Sequence, residues 1–503
     1  PECDVKKINN RYDIVNKFID NNDLRINVSN YLKQIYDLSA LLRKLSLQII
    51  HPYEIARLLR SLENYLCILK LISIDKFLAD YFNKKEILSI LEQSIKNIKD
   101  YFNIDYIEDN QETIKQNNIS VDIFTDTCNK NITDIKQKIK EDEKIPLLIL
   151  NTLNKYYSLK GKKSEAIKLD KKFIDNSYIH ILVTTSCKWN IIKNNLGKLA
   201  DDYKIEEKGN DKKIITCQKL DDVNSRLLLN NYNKQLFIEY CKFIDSLYDL
   251  FKLFDIINNL AEIDVFIAIA SVAIKYKYAR PVITPKDSNF SFLDIKELRH
   301  PIVEIINDTA FVPNDVILNS NGILLYGLNT CGKSVLLKSI GIAIIMAQIG
   351  SFVPCKSMTY YPYTKIIPRI SYDDNLYKKK SSFAIEMSEL RSILGQSDKH
   401  TLVLGDEICK GTEIESAVPI VACAVKYLCE LNVSFVITTH LHKLCDLELI
   451  KNLKNLSIMH LSVDIIDNKI LYKRKLCSGN GFTSYGIEVC KTLGLPNEFI
   501  IEC

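Results

Sequence analysis

A glycine-rich segment with the spacing G-x-x-x-x-G-K-S lies in the second half of the chain, within YGLNTCGKSVLLKS. Its fixed positions are Gly327, Gly332, Lys333 and Ser334. Glycine lets the backbone curl so that N–H groups point at phosphate oxygens, and the dipole of the helix that follows favours negative charge. Lysine can reach the β- and γ-phosphates, and the serine hydroxyl can hold Mg²⁺. Because an apolar run precedes the turn and an apolar helical pattern follows it, the segment predicts a P-loop.

Two further polar clusters carry chemistry that suits a nucleoside triphosphate. Asp406 and Glu407 follow the apolar run TLVLG, and His440 follows the run SFVITT. One carboxylate can position hydrated Mg²⁺, and the next can polarise an attacking water molecule. A histidine at the end of a strand is more often structural, but after a P-loop and an acidic pair it can sense the γ-phosphate.

Three short apolar runs must position these clusters, and they are GILLYG, TLVLGDE and SFVITTH. Their alternation with helical patterns after about residue 290 predicts an α/β domain with a mostly parallel sheet. Ligands of such sheets lie at the carboxyl ends of the strands. All three polar clusters fall at that end, so the sequence predicts that they meet.

The segment KKKSSFAIEMSELRSIL lies between the P-loop and the acidic strand. Apolar residues at helical spacing run from Phe383 to Leu394, and Ser381 and Ser382 lie at the start of this pattern. Exposed N–H groups there form a second anion site. This second anion site would have a function if it capped the γ-phosphate bound by another subunit. The alternative is that the serines form an ordinary helix N-cap.

Before residue 290 glycine is scarce and helical periodicity predominates, as in DLSALLRKLSL, where leucines recur at i, i+3, i+4 and i+7. Residues 172–217 are instead rich in β-branched side chains, and Gly209-Asn210-Asp211 between two candidate strands predicts a hairpin. A long helical pattern returns from Ser225 to Tyr278. The pattern fits a β insert between an outgoing and a returning helical arm, or a plain helical domain with one β excursion.

Composition sets wider limits. A chain of 503 residues is expected to hold about three domains. The net charge of +5 permits nucleic acid as a partner without arguing for it. Fifteen scattered cysteines without a C-x-x-C pair, and no secretory signal, predict a reducing intracellular compartment. We expect no membrane-spanning segment, the nearest apolar run being residues 339–353. Because the chain begins at Pro1, we expect a fragment of a longer protein.

From residue 290 onward the sequence resembles the ATPase domain of the MutS family of DNA mismatch-repair proteins, which belongs to the ABC ATPase class. Eight segments match in order, and these are ELRHPIVE, FVPNDV, GLNTCGKS, IGSFVPC, SSFAIEMSEL, TLVLGDEICKGTE, ITTHLHKL and SYGIEVCKTLGLP. Upstream, INNRYDIVNKF and DLSALLRKLS resemble the family's core, and AEIDVFIAIASVAIKYKYARPVIT resembles its returning lever helix. The insert near 172–217 lies where the family has its DNA clamp.

The resemblance implies a multidomain fold, with an α-helical core and lever, a small β clamp insert, and an α/β ABC-type P-loop ATPase domain. It assigns residues 1–155 to the helical core and outgoing lever, 156–222 to the β-rich clamp, 223–289 to the returning lever and core, and 290–503 to the ATPase domain. It also implies ATP and Mg²⁺ as cofactors, double-stranded DNA as a ligand, and a homodimer or heterodimer with a MutS-type subunit.

The resemblance further implies roles for single residues. Glu407 and His440 would be catalytic, Ser334 and Asp406 would hold the metal, and Ser381 and Ser382 would reach the nucleotide of the partner subunit. The implied nucleotide-binding residues are Phe311, Val312, Gly327, Leu328, Asn329, Thr330, Cys331, Gly332, Lys333, Ser334 and Val335. The lysines of the clamp that are expected at DNA phosphates are Lys188, Lys193, Lys208, Lys212 and Lys213.

The sequence also departs from the family's pattern. Lys379-Lys380 replaces the usual glycine before the signature serines, and Cys409-Lys410 stands where the family commonly has Gly-Arg. No segment matches the family's mismatch-reading and connector domains. Two alternatives therefore stay open: a MutS-like ATPase that acts on branched or recombining DNA without mismatch recognition, or a clamp on structured RNA or a ribosome.

Overall fold

The computed structural model describes residues 2–82, 85–111, 120–158, 166–174, 177–208, 211–228, 231–248, 253–284, 289–307, 310–319, 321–328, 331–369, 382–409, 413–466, 469–481 and 496–502. The chain folds into two compact units. The first, here called the helical unit, is Asn27–Glu262. The second, here called the α/β unit, joins Pro1–Ile26 to Ile263–Cys503. The division into four domains made from the sequence stays a prediction.

Helices make up most of the helical unit. They are α2 (Asn22–Leu32), which begins in the α/β unit, α3 (Leu38–Ser46), α4 (Pro52–Ile72), α5 (Lys76–Phe82), α6 (Lys85–Tyr101), α7 (Ile104–Asp109), α8 (Lys130–Ser158), α9 (Ser186–Leu196), α10 (Gln218–Leu228), α11 (Asn231–Tyr248) and α12 (Leu253–Tyr276), which ends in the α/β unit. The expected pattern from Ser225 to Tyr278 is therefore divided among α10, α11 and α12.

Capping and buried polar contacts explain where these helices begin and how they pack. Asp37 caps α3 by accepting a hydrogen bond from the backbone N–H of Ala40. The fully buried Tyr65 of α4 donates its hydroxyl to Asn259 of α12, and the Asn259 amide donates to the carbonyl of Phe82 at the end of α5. One buried amide thus joins α12 to the consecutive helices α4 and α5, through partners 194 and 177 residues earlier in the chain.

A four-stranded antiparallel sheet interrupts the helices in the order β1-β2-β4-β3. Its strands are β1 (Lys168–Ile174), β2 (Ser177–Thr185), β3 (Tyr203–Lys208) and β4 (Lys212–Cys217). The predicted hairpin is confirmed, since β3 and β4 pair antiparallel with Lys208 opposite Lys212. Trp189 of α9, which is 2% exposed, packs with Leu182 of β2 and Ile215 of β4 in the core beneath this sheet.

The α/β unit contains two sheets. One has six strands in the order β10-β11-β12-β8-β13-β14, all parallel except the antiparallel pair β13 and β14. The other has four strands in the order β5-β9-β6-β7. The strands are β5 (Val282–Ile283), β6 (Phe292–Leu298), β7 (Asn314–Asn319), β8 (Gly322–Tyr326), β9 (Ser357–Tyr360), β10 (Lys365–Arg369), β11 (Thr401–Gly405), β12 (Ser434–Thr438), β13 (Leu456–Ile466) and β14 (Lys469–Ser478). The expected mostly parallel sheet is confirmed, whereas the second sheet was not predicted.

Helices cover the six-stranded sheet. The helices of the α/β unit are α1 (Val5–Asp20), α13 (Val303–Ile306), α14 (Lys333–Ile349), α15 (Ser382–Gln396), α16 (Ile414–Glu430), α17 (Glu448–Lys451) and α18 (Asn497–Glu502). The apolar residues of α14 form one core with β6, β7 and β9, and those of α16 form a second core with β8, β11 and β12. The parallel strands are buried on both faces, which is why they read as short continuous apolar runs.

Among the described residues, Ile256–Tyr276 of α12 is long and apolar enough to span a membrane by length and composition, whereas from the sequence we expect no such run. Its buried side chains recur at helical spacing, as at Ile256, Leu260, Ile263 and Ile267. A buried core helix has the same length and composition, so these two features alone do not define a membrane span.

Candidate nucleotide site

The glycine-rich turn connects the buried strand β8 to helix α14. Gly327 has a φ of +153° and Gly332 a φ of +107°, which are backbone conformations that favour glycine. A β-carbon at Gly327 would lie 2.7 Å from Sγ of Cys331, so space also requires glycine there. The first N–H groups of α14, which begins at Lys333, have no partner within the helix and can bind an anion.

Lys333 is buried among the polar atoms of this turn, and its residue is only 5% exposed. Its Nζ donates to the carbonyl oxygens of Gly327 at 2.8 Å and Leu328 at 3.2 Å. The same Nζ lies 3.0 Å from Nε2 of His440 and 4.0 Å from Oε1 of Glu407. The lysine, the histidine and the acid from three separate segments therefore form one cluster.

Ser334 and Asp406 meet at the ends of neighbouring elements. The Ser334 hydroxyl donates to Oδ2 of Asp406 at 2.7 Å, and Thr438 donates its hydroxyl to Oδ1 at 2.7 Å. The Thr438 hydroxyl oxygen also accepts the backbone N–H of Glu407 at 2.9 Å. One threonine from β12 thus positions both acidic residues that follow β11.

Glu407 and His440 form a close pair, with 2.8 Å between Oε1 and Nε2. Glu407 has a φ of +50°, in the left-handed region that side chains other than glycine rarely adopt. Residues held in this region store strain and often lie at functional sites. The histidine is half-exposed and the glutamate is more buried, so the pair lies at the surface of the cluster.

A pocket of about 200 Å³ opens beside the turn. The residues that line it include Phe311, Val312, Cys331, Gly332, Val335 and Arg474. A pocket with apolar walls and a few polar groups is the usual form of a small-molecule site. Burial raises the pKa of the Cys331 thiol, so this cysteine is neutral in the wall of the pocket.

Asn314 fixes one wall of this pocket. Its amide donates to the carbonyl of Arg474 at 3.0 Å, and its side-chain oxygen accepts the N–H of Leu476 at 2.7 Å. Lys475 also donates to the carbonyl of Pro313 at 2.8 Å. The pairing of β13 with β14 is irregular here, and Arg474 has a φ of +53°. These bonds hold the irregular part of β14 against the loop that carries Phe311.

The structure brings most of the predicted site residues together. Lys333, Ser334, Asp406, Glu407 and His440 form the cluster, and the predicted residues Phe311, Val312, Cys331, Gly332 and Val335 line the adjacent pocket. Gly327 and Leu328 contribute carbonyl oxygens to Lys333. The roles assigned to these residues stay predictions.

Other predicted residues cannot be placed. Asn329, Thr330 and Ser381 lie outside the described residues, as does the side chain of Ser382, the first residue of α15. The closing segment SYGIEVCKTLGLP also lies outside them, apart from its final proline.

The predicted DNA-contacting lysines are distributed over α9 and the β3–β4 hairpin. Lys212 at the start of β4 pairs with Thr185 at the end of β2, and Lys188 lies in the first turn of α9, which begins directly after Thr185. Lys193 is exposed farther along α9. Lys213 lies 3.5 Å from the carboxylate of Glu207. The side chain of Lys208 lies outside the described residues.

Sequence reasoning missed several residues that hold the site. Thr438 and Asn314 lie in the segments SFVITTH and FVPNDV, and the sequence alone assigns neither of them a role in the site. Arg369 ends β10, accepts the N–H of Asp406 at 2.7 Å through its carbonyl, and pairs with Glu386 and Glu389 of α15. Arg369 follows a short apolar run, as the acidic pair does, and this position could have indicated that it lies at the same edge of the sheet.

Comparisons with known proteins match this architecture. A family model described as MutS domain III matches residues 1–270, and one described as MutS domain V matches residues 323–503. The chain is 30% identical to a mutS homolog of Acanthamoeba polyphaga mimivirus, over 98% of this chain and 49% of the relative. It is 30% identical to the DNA mismatch repair protein MutS of Clostridium novyi, over 97% of this chain and 52% of the relative. A mitochondrial DNA mismatch repair protein mutS homolog of Sarcophyton glaucum is 35% identical over 55% of this chain and 28% of the relative.

The fold and the matches define the class of this protein. It has a helical unit that contains a β sheet, and an α/β unit of the kind found in a nucleotide-binding family. The chain belongs to the MutS family. It spans about half the length of the Clostridium novyi and mimivirus relatives.

Proposed function

We propose that this chain is an ATP-dependent DNA clamp that acts in DNA mismatch repair and hydrolyses ATP at a dimer interface. The convergence of Lys333, Ser334, Asp406, Glu407 and His440 at the carboxyl edge of the parallel sheet carries the proposal. The names of the relatives, which are DNA mismatch repair proteins, support the biological role.

The residues at the turn suit a magnesium nucleotide. Ser334 and Asp406 offer a hydroxyl and a carboxylate 2.7 Å apart, which are the hard oxygen ligands that Mg²⁺ prefers. When bound, Mg²⁺ would neutralise charge on the phosphates. The ammonium of Lys333 would exchange its carbonyl partners for phosphate oxygens, and Phe311 would pack on the base in the adjacent pocket.

Glu407 is the proposed general base, because its carboxylate lies at the surface of the cluster beside His440. Ser381 and Ser382 of a second subunit would complete the site from the other side. ATP would then stabilise the closed dimer, since its affinity for the closed form exceeds that for the open form.

In this proposal residues 1–155 form the core and outgoing lever, 156–222 the clamp, 223–289 the returning lever and 290–503 the ATPase domain. Lys188, Lys193, Lys208, Lys212 and Lys213 would contact DNA phosphates, which makes binding dependent on salt. The proposal keeps the reducing intracellular compartment inferred from cysteine usage.

The steady-state ATPase rate, measured against protein concentration with and without duplex DNA, tests the proposal. We expect a rate that rises more than linearly with protein concentration and that DNA stimulates. Mismatched, perfectly paired and four-way junction DNA, together with structured RNA, separate mismatch repair from the two alternatives. A rate that is linear in protein concentration and unaffected by any nucleic acid would contradict the proposal.

The matched variant is Glu407→Gln, which keeps the shape of the side chain and removes its basicity. We expect hydrolysis to fall by about 10²–10⁴-fold with ATP binding retained, because a general base contributes about that much. ATP should also hold this variant in the dimeric state. Loss of ATP binding, or a dimer that ATP does not stabilise, would show that the assignment of Glu407 is wrong.

A further inference from the structure

Side-chain and backbone hydrogen bonds hold the end of α14 opposite the P-loop. The helix runs for 17 residues from Lys333 to Ile349, which corresponds to a rod about 25 Å long. The last carbonyl groups of a helix lack partners within it. The turn at Gly350 supplies partners for two of these carbonyl groups. The backbone N–H of Gly350 donates to the carbonyl of Ala347, and that of Ser351 donates to the carbonyl of Met346.

Side chains of α1 bind the same helix end. Tyr12 is fully buried, and its hydroxyl donates to the carbonyl of Ala347 at 2.7 Å and lies 3.0 Å from the hydroxyl of Tyr360. Arg11 donates to the carbonyl of Ile349 at 3.2 Å. Gly350 has a φ of +93°, and a β-carbon there would lie 2.4 Å from Cβ of Arg11. Helix α1 therefore lies directly against the turn that ends α14.

The segment that follows α12 contacts α1 and the residues just after α14. Ala279 and Val353 exchange two backbone hydrogen bonds of 2.9 Å. Arg280 donates to Oδ1 of Asp13 at 2.7 Å, and its guanidinium lies 5.7 Å from the ring centroid of Tyr12. Tyr12, which binds the end of α14, thus also contacts Arg280 of the segment after α12.

These two attachments lie on the two stretches of chain that lead to the covalent connections between the units. The chain leaves the α/β unit after Ile26, six residues beyond the end of α1, and it returns within α12 at Ile263. Both routes therefore begin at elements fixed to the C-terminal end of α14, and the N-terminal end of α14 carries Lys333 and Ser334. A displacement of α14 would therefore move the starting points of both routes.

We propose that Tyr12, Asp13 and Arg280 form a coupling junction that transmits the nucleotide state of the P-loop through α14 to the helical unit. These are positioning residues, since none of them touches the candidate nucleotide site. The inference rests on the proposed function in one respect, which is that a nucleotide binds at the P-loop. Tyr12 is the central residue because its hydroxyl makes a directional hydrogen bond to Ala347 of α14 while its ring lies beside the guanidinium of Arg280.

Hydrogen–deuterium exchange of the whole chain, with and without a non-hydrolysable ATP analogue and Mg²⁺, tests the junction without DNA. In the wild type we expect the analogue to slow exchange in α14 and to change exchange within residues 27–262. In Tyr12→Phe we expect the change in α14 to persist and the change in residues 27–262 to be lost. Tyr278→Phe is the matched control, because its hydroxyl bonds Glu304 and not α14.

A charge swap separates coupling from simple stability. Asp13→Arg should weaken the response of residues 27–262, and adding Arg280→Asp should restore it, because the ion pair reforms with reversed sign. A Tyr12→Phe protein that transmits the full response, or a wild type whose response stops in α14, would overturn the junction. Failure of the proposed function has a different signature, namely an ATPase that nucleic acid does not affect while the exchange response is intact.

Discussion

The Nε2 atom of His440 lies 3.0 Å from the Nζ atom of Lys333. The same nitrogen lies 2.8 Å from Oε1 of Glu407. One ring nitrogen cannot accept from an ammonium group and donate to a carboxylate at the same time. His440 therefore bonds either the lysine or the acid, and the protonation of Nε2 decides which of them is held.

This arrangement predicts that His440→Gln impairs hydrolysis more than binding. Lys333 keeps its carbonyl partners in the turn, so phosphate binding should persist, whereas Glu407 exchanges a rigid ring partner for a flexible amide that does not take up or release a proton. We expect kcat to fall by about 10²-fold or more, as for the loss of a positioned acid–base group, with little change in KM. The measurement is steady-state ATPase kinetics.

His442→Gln is the control for this substitution. The ring of His442 stacks on Tyr326 with 5.2 Å between ring centroids, and it lies two residues from His440. We expect a smaller effect on kcat than that of His440→Gln. Equal effects of the two substitutions would argue against a specific role of the His440–Glu407 contact.

The hydroxyl of Thr438 predicts a second effect that combines stability with metal dependence. Thr438→Val keeps the shape but removes the hydroxyl that donates to Oδ1 of Asp406 and accepts the N–H of Glu407. We expect the free energy of unfolding to fall by about 1–3 kcal/mol, the usual range for losing a buried hydrogen bond to a charged group. The Mg²⁺ concentration needed for half-maximal hydrolysis should rise, since Asp406 keeps the hydrogen bond from Ser334 but loses the one from Thr438.

Denaturant unfolding and a Mg²⁺ titration of the ATPase rate measure these two effects. Thr438→Ser retains the hydroxyl and should behave nearly as the wild type does. If valine and serine have the same metal dependence, the hydroxyl does not position Asp406.

The sequence predicts the strands of the site more completely than the contacts that fix it. The strands β8, β11 and β12 are each five consecutive buried residues, and each is followed by glycine or polar residues, so the local pattern is unambiguous. Thr438 and Asn314 carry no such local pattern. Their partners lie 32 and 160 residues away in sequence, so only the folded chain reveals the bonds.

The sequence prediction also overlooks how apolar α12 is, since it takes residues 339–353 as the nearest candidate for a membrane span. Exposed Glu262 and Asp264 interrupt its run of apolar residues, but the helix still passes the length and composition test for a membrane span. Its helical periodicity, with Ile256, Leu260 and Ile263 buried on one face, is the feature that a composition test does not use.

Stability should fall in mild acid because of buried histidines, with His300 as the clearest case. Its Nδ1 accepts backbone N–H groups of Ile302 and Val303 at 3.2 and 3.3 Å. Burial lowers the pKa of His300, and nearby Lys338 lowers it further. The unfolded chain therefore binds more protons than the folded chain at pH values below the unfolded pKa of about 6.5. The free energy of unfolding consequently decreases as pH falls from that value towards the lower pKa of the folded state.

His300→Asn tests this origin, because an asparagine oxygen accepts the same N–H groups and does not titrate. Denaturant unfolding at pH values of about 7.5 and 5.5, on either side of the unfolded histidine pKa, is the measurement. We expect the variant to lose less stability than the wild type between these values. Part of the wild-type loss should remain, because burial also lowers the pKa values of His180 and His442. An identical loss in both proteins would assign the effect to other groups.

A buried carboxylate joins three helices of the helical unit. Both oxygens of Asp142 in α8 accept from Arg226 of α10, at 2.6 and 2.9 Å, and Tyr232 of α11 donates to one of them at 2.8 Å. Pro146 lies four residues later in α8, and its ring nitrogen cannot donate to the carbonyl of Asp142. The side-chain contacts of Asp142 therefore hold α8 where its own hydrogen-bond ladder is interrupted.

Asp142→Asn should destabilise the helical unit by about 1–3 kcal/mol, near the lower end because Arg226 is partly exposed. The hydrogen bonds from Arg226 lower the pKa of Asp142, so its contribution is present above the unfolded carboxyl pKa and is lost as pH falls through the folded pKa. The asparagine variant should lose that acid dependence. Tyr232→Phe removes only the hydroxyl bond and should cost less, as measured by denaturant unfolding. If Asp142→Asn unfolds at the wild-type denaturant concentration at neutral and acidic pH, the carboxylate does not hold α8, α10 and α11 together.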